Sequence, residues 1–271
     1  MKISVITINR NNLSGLKTTL ESVFAQTYPN FEYIVIDGAS TDGSRELIEQ
    51  HAERFAYWVS EPDGGIYAAM NKGIRIATGD YAIFMNSGDS FYAPDVLERA
   101  AIQLAGGKDF YIGHLHREEH TRKRLYTPKR VDARLLALSA MAHQSAFIRL
   151  ELLHKRPYQE EYRLQADREQ MFYELIVRNA SYEQLDFIIA RYEGGGASSL
   201  QQNAELWNEE AELILKTHLS PRLQEALCGK STYETKILYA FTKDSPLERD
   251  WKLLRNTLKL IFHDLLRGFR S

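Results

Sequence analysis

Short apolar runs alternate with amphipathic stretches through the first part of the chain. Ile3 to Ile8 is apolar and β-branched and gives way to Asn9-Arg10-Asn11-Asn12, which predicts a strand, a polar loop and a helix cap. Leu13, Leu16, Leu20, Val23 and Phe24 then recur at helical spacing until Tyr28-Pro29-Asn30 ends the helix. Phe31 to Ile36 reads as a second strand, followed by Asp37-Gly38-Ala39-Ser40-Thr41-Asp42-Gly43-Ser44 and a helix carrying Leu47 and Ile48. Tyr57 to Ser60 is a short third strand. It leads through Glu61-Pro62-Asp63-Gly64-Gly65 into a helix from Ile66 to about Ala77, stopped by Gly79. The apolar run Tyr81 to Met85 is the fourth strand, and Asn86-Ser87-Gly88-Asp89 is turn chemistry placing Asp89 just past its carboxyl end.

Strand then helix, repeated in this way, predicts an α/β fold with a mostly parallel sheet, helices on both faces and the strand-to-helix loops along one edge. Ligands bind at that edge in open α/β sheets. Asp37, Asp63 and Asp89 each stand just beyond a strand. Capping explains any one of them; three converging on one edge suggest a site.

Farther on, Pro94 to Leu104 reads as a helix and Asp109 to Gly113 as a strand. His114, His116 and His120 lie among charged residues at a spacing poor for a metal-ligand set, so a solvated loop or hairpin is expected there. Met141 to Arg149 places the polar pair His143-Gln144 before an apolar strand, and Asp167 opens a helix whose inward face is expected to be Met171, Leu175 and Val177 or Arg178. Tyr182 to Tyr192 reads as a last strand. The run Gly194-Gly195-Gly196-Ala197-Ser198-Ser199 reads as a hinge or lid, since no dinucleotide fingerprint surrounds it. From Gln201 the pattern is helical, and residues 251–270 set Trp251, Leu254, Leu258, Ile261, Leu265 and Phe269 on one face with Lys and Arg beside them. Such a helix suits either an anionic membrane surface or a packed interface, the latter including a homo-oligomer.

Composition narrows the classes. The 271 residues carry 34 Lys and Arg against 36 Asp and Glu, a net charge of −2, which gives no electrostatic case for a nucleic-acid partner. The single cysteine, Cys228, forms no intrachain disulfide, which suits a reducing cytosol. The apolar stretch at the N-terminus is too short for a signal sequence, and no run reaches the length needed to span a bilayer.

Five motifs in order resemble the family 2 glycosyltransferases, which have the Rossmann-like GT-A fold. They are Ser4-Val5-Ile6-Thr7-Ile8-Asn9; Ser22-Val23 with Gln26-Thr27-Tyr28; Asp37 to Ser44; Glu61 to Tyr67 with Met70-Asn71-Lys72-Gly73; and Gly79-Asp80-Tyr81 through Asp89. The resemblance is closest to the branch serving cell-surface polysaccharide synthesis and covers roughly residues 1–200, leaving 201–271 as a helical C-terminal extension. It implies that Thr7, Asn9 and Asp37 hold the nucleotide base of a nucleotide-sugar donor, a UDP-sugar being favoured. Asp63, Lys72, Ser87 and Gly88 would lie along the donor. Asp89 would hold a divalent cation, Mn²⁺ or Mg²⁺, bridging the diphosphate. This turn departs from relatives with two or three acidic residues, offering Asn86, Ser87 and Gly88 before its one carboxylate.

The resemblance also implies that Asp167 is the general base of an inverting transfer and that His143 and Gln144 lie near a saccharide or lipid-linked saccharide acceptor. A neutral sugar hydroxyl is a weak nucleophile, and a placed carboxylate supplies about 10² to 10⁴ in rate. The expected location is the cytoplasm, with peripheral contact at the inner face of the plasma membrane through residues 251–270. Two other readings stand beside this one: a non-catalytic nucleotide-sugar-binding or membrane-assembly partner, and a sugar-phosphate nucleotidyltransferase.

Overall fold

A computed structural model describes residues 1–119, 122–126, 135–136, 142–192, 194 and 201–228. The amphipathic helix expected over residues 251–270 and most of the glycine-rich turn lie outside the described residues. The strands are β1 (Ile3–Asn9), β2 (Phe31–Asp37), β3 (Tyr57–Ser60), β4 (Tyr81–Phe84), β5 (Asp89–Phe91), β6 (Phe110–Glu119), β7 (Arg122–Tyr126), β8 (Ala146–Arg149) and β9 (Tyr182–Tyr192). The helices are α1 (Leu13–Phe24), α2 (Ser44–Gln50), α3 (Ile66–Ile76), α4 (Val96–Leu104), α5 (Leu150–Lys155), α6 (Ala166–Phe172), α7 (Ala204–His218) and α8 (Pro221–Cys228).

Among the described residues the strands form one sheet in the order β3-β2-β1-β4-β8-β6-β9-β5, with β7 paired to β6. The first four are parallel, whereas β8 runs antiparallel to both β4 and β6. The four strand-helix repeats thus build a parallel half, and the later strands add a mixed half. The charged residues from His114 onward lie in the second half of β6 and in β7, which pair antiparallel, Leu115 opposite Tyr126 and Glu119 opposite Arg122.

Every residue of β1 is buried, because helices cover both sides of the strand. Ile3 and Val5 face a cluster with Leu16, Leu20 and Val23 of α1. Ile6 faces α3, where a Cβ added to Gly73 would stand 2.6 Å from Ile6 Cγ2. That close approach fixes α3 on the sheet and sets the loop that precedes it.

Asp89 departs from the expected position in one respect. β4 ends at Phe84, and after the turn Asp89 opens a new short strand that pairs antiparallel with β9, Asp89 opposite Tyr192. The pairing gives Asp89, Ser90 and Phe91 backbone partners that a free loop lacks.

The chain divides into two compact units, one of Met1–Arg130 and Ala140–Ala211, the other of Val131–Ser139 and Glu212–Ser271. The described part of the second holds the end of α7 and all of α8, whose Pro221 occupies the first helical position, where a missing N–H costs nothing. No described helix is long and apolar enough to cross a membrane.

Candidate active site

Register builds the first part of the site. Asn9 is paired with Asp37 across β1 and β2, and Asp37 with Ser60 across β2 and β3. Three polar side chains therefore line up at the carboxyl ends of three adjacent parallel strands. Asn9 Nδ2 donates to Asp37 Oδ1 over 2.7 Å, and Ser60 Oγ donates to Asp37 Oδ2 over 2.6 Å. Ser40, from the loop after β2, adds its hydroxyl to Oδ1 (2.6 Å) and its N–H to Oδ2 (2.9 Å). Burial works to raise the Asp37 carboxyl, but the donors from Ser40, Ser60 and Asn9 outweigh it and hold the group below the usual carboxylate range. Asp37 is completely buried, so its first task is to fix this loop.

The Asn86–Asp89 turn is joined to that row. Asn9 Oδ1 accepts from Ser87 Oγ over 2.7 Å. Gly88 has φ of +102°, a conformation that costs a side-chain-bearing residue, and its N–H reaches Thr19 Oγ1 on α1 (3.1 Å). Thr19 donates in turn to the Asp89 carbonyl over 2.7 Å. A Cβ on Gly15 would lie 2.8 Å from Gly88 N, so α1 carries glycine where the turn rests on it. Asp89 is 5% exposed.

Asp167 lies on the first turn of α6 and is 8% exposed. Tyr67 OH, from the first turn of α3, donates to its Oδ1 over 2.7 Å, and Arg168 N–H donates to the same oxygen over 2.9 Å. His143 Nδ1 stands 2.8 Å from Oδ2, and His143 Nε2 stands 3.1 Å from Asn86 Nδ2. Burial works to raise the Asp167 carboxyl; the hydrogen bond and charge of His143, with the Tyr67 hydroxyl and Arg168 N–H, hold it below the usual range. Burial works to lower His143, and the carboxylates of Asp167 and Asp89 overcome it to raise the imidazole. The Tyr67 hydroxyl is pushed well up by burial and then by Asp167, so it stays a donor. The segment preceding Asp167 is held from outside the sheet: Glu210 of α7 accepts the N–H groups of Arg163, Leu164 and Gln165 at 2.6, 3.0 and 3.0 Å.

The other expected residues are placed as follows. Thr7 is completely buried, its hydroxyl 2.7 Å from the Met85 carbonyl and 2.9 Å from Tyr33 OH, so it ties β1 to the end of β4 from within the core. Asp63 accepts from Gly65 N–H over 3.0 Å, and a Cβ on Gly38 would lie 2.7 Å from its Oδ2, so the loops after β2 and β3 touch. Lys72 is engaged with Glu61 at 2.6 Å. Gln144 is buried in the short turn His143–Ser145. Asn9, Asp37, Ser87, Asn86, His143 and Asp167 thus form one polar belt, interrupted only by the peptide between Asn86 and Ser87.

Sequence reasoning gave no role to Tyr67, Thr19, Asn86 or Glu210. Tyr67 follows Gly64-Gly65-Ile66 in a quoted motif, a signal that was present; Glu210 sits in an ordinary helical pattern and gave none. A cavity of about 380 Å³ between α4 and the start of β9 is lined by none of these residues.

The chain is thus an α/β domain with a carboxylate-bearing turn at the carboxyl edge of a parallel half-sheet and a second buried carboxylate on a later helix. Residues 4–173, more than half of the chain, match the model of glycosyl transferase family 2, and the chain belongs to that family. It is 50% identical over 105 residues to the glycosyltransferase Rv1514c of Mycobacterium tuberculosis, an alignment spanning 38% of this chain and 40% of that protein. It is 31% identical over 170 residues, 60% of this chain and 66% of the other, to a PGL/p-HBAD biosynthesis glycosyltransferase of Mycobacterium bovis. The crystal structure of S. aureus TarS 1–349 with UDP-GlcNAc shares the fold with a TM-score of 0.63 at 20% identity, covering 84% of this chain and 70% of that one. A mannosyltransferase of Pyrobaculum calidifontis with GDP-Man and Mn²⁺ gives a TM-score of 0.61 at 17% identity, covering 98% and 82%.

Proposed function

We propose that the protein is an inverting, metal-dependent glycosyltransferase that moves a sugar from a nucleotide donor, a UDP-sugar being favoured, to a saccharide or lipid-linked saccharide in surface polysaccharide synthesis. The observation that carries this reading is the buried Asp167 carboxylate, held ionised by Tyr67 and His143 and joined through Asn86 to the turn that bears Asp89. The biosynthetic roles named for the mycobacterial relative, and for the teichuronic acid glycosyltransferase TuaG of Bacillus subtilis, 35% identical over 100 residues, support the polysaccharide setting. UDP-GlcNAc in the TarS structure supports the donor class.

In this reading the acceptor oxygen attacks the anomeric carbon as its proton passes to Asp167, and the bond from that carbon to the diphosphate breaks, its electron pair leaving with the diphosphate. Oδ1 of Asp167 already accepts two hydrogen bonds and Oδ2 one, so among the described residues Oδ2 is the oxygen with acceptor capacity left for that proton. Asp89 offers a hard cation one buried carboxylate, but the described residues gather no group of three or more His, Cys, Asp or Glu that could hold a metal ion by themselves. Asp89 would hold the ion with the diphosphate oxygens completing its ligands, and the bound ion would neutralise charge on the leaving group. Asp37 and its partners would present the loop edge to the base.

The test is thermal stabilisation by UDP, GDP, dTDP and ATP, with and without Mn²⁺, for the wild type and Asp89→Ala. Metal-dependent stabilisation by one nucleoside diphosphate, lost in Asp89→Ala, is the expected result. Absence of stabilisation by any diphosphate would remove the donor site.

A further inference from the structure

Asn86 opens the turn that carries Asp89 as its one carboxylate, and its amide points toward His143. Asn86 Nδ2 lies 3.1 Å from His143 Nε2, while the other ring nitrogen lies 2.8 Å from Asp167 Oδ2. Asn86 O accepts the N–H of Asp89 over 2.8 Å, so the residue that meets the imidazole also closes the turn bearing Asp89. Asn86 Oδ1 is buried and has no hydrogen-bond partner among the described residues. The unused oxygen and the used nitrogen belong to one amide, so a half-turn about its bond presents an acceptor in place of a donor to Nε2.

We propose that His143 is a positioning residue that orients the Asp167 carboxylate from the Asn86 side chain, so that the base and the Asp89 turn are held as one rigid piece. The inference rests on Asp167 being the base. Tyr67 and Arg168 N–H fix Oδ1 from one side, and without His143 the carboxylate keeps a pivot about that oxygen. His143 removes the pivot at Oδ2, the oxygen that would take the proton. Orientation of this kind acts on the transfer step and leaves ground-state donor binding alone, since a small misplacement of a reacting group costs up to about 100-fold in rate. The arrangement also accounts for asparagine at 86. An aspartate there would set a second carboxylate against the same ring and compete with Asp167 for its orientation, whereas an amide serves Nε2 with either end.

The experiment uses the full chain and follows UDP release from UDP-GlcNAc and GDP release from GDP-mannose with Mn²⁺, beside nucleoside diphosphate affinity by calorimetry. His143→Ala is expected to lower kcat about tenfold or more with diphosphate affinity within about twofold of the wild type. His143→Asn places an amide N–H near the Nδ1 position and is expected to restore much of the loss. A kcat for His143→Ala close to wild type, or His143→Asn as impaired as His143→Ala with both variants folded, would overturn the proposal. Nitrogen-15 spectra of the histidine rings give a readout that needs no turnover. A proton on His143 Nδ1, with a resonance that moves in Asp167→Ala, is expected; an unprotonated Nδ1, or a resonance indifferent to Asp167, would overturn the proposal by itself. A wild type that releases neither diphosphate while the ring spectra behave as expected would count against the transferase reading and leave the coupling standing.

Discussion

Asp167 is mostly buried yet keeps its charge, because three donors converge on its two oxygens and outweigh the cost of leaving water. Replacing it with asparagine keeps the size of the side chain and removes the basic oxygen. Asp167→Asn is therefore expected to reduce sugar transfer by about 10² to 10⁴ while diphosphate affinity stays near wild type, measured by diphosphate release and calorimetry. Tyr67→Phe deletes one hydrogen bond that holds the Asp167 carboxyl low. Its carboxyl then titrates at higher pH than in the wild type. Activity that needs the ionised form disappears as pH falls through that value, so the acid limb of the pH–kcat profile should move upward in Tyr67→Phe; an unmoved limb would exclude Asp167 as the group that sets it. Asp167 was singled out only through the family resemblance, and its role as base is a proposal. Tyr67 and His143 were not recognisable as its partners, since they lie 100 and 24 residues away and spacing carries no sign of the contacts.

At the scale of elements, two contacts decide where the site residues stand. α3 lies against β1 through Gly73, and it carries Tyr67 on its first turn. Gly73→Ala should force Ile6 or the helix to shift and cost about 1–3 kcal/mol by overpacking, read from the denaturant midpoint. The chain before α6 depends on a carboxylate from α7. Glu210→Ala would leave the N–H groups of Arg163, Leu164 and Gln165 without their acceptor, at a cost of about 3 kcal/mol, and should lower kcat with it because Asp167 follows so closely. Normal stability and turnover in this variant would show that the clamp is dispensable. The helix-period pattern of Ala204–His218 was legible as a helix, but periodicity assigns a face and not a partner, so its part in seating Asp167 was not.

Over the whole molecule, stability in acid follows the carboxylates whose folded pKa is depressed. Burial works to raise Glu32, but its bonds to Lys2, Ser4 and Thr78 prevail and bring it from 4.5 down to about 2. A depressed carboxylate contributes stability that is complete above its unfolded value and is lost as pH falls toward the folded one. Glu32 should thus contribute fully above pH 4.5 and lose its contribution on the way down to about 2. Asp37 and Asp167 act in the same direction, each below 3.8. The melting temperature of Glu32→Gln should fall less steeply than wild type across that window; parallel curves would refute the assignment.

The sequence by itself determined the repeated strand-helix order, the parallel half-sheet it implies, and the edge on which Asp37, Asp63 and Asp89 gather. These follow from local periodicity and turn chemistry, which act over a few residues and leave their mark in the chain. Only the tertiary structure decided that Thr7 is buried in the core, that Lys72 pairs with Glu61, that Asp89 begins a strand against β9, and that Asn86 turns toward His143. Each of those depends on which strands become neighbours and in what register. Register brings Asn9, Asp37 and Ser60 into one row, and it is fixed by packing between segments far apart in the chain.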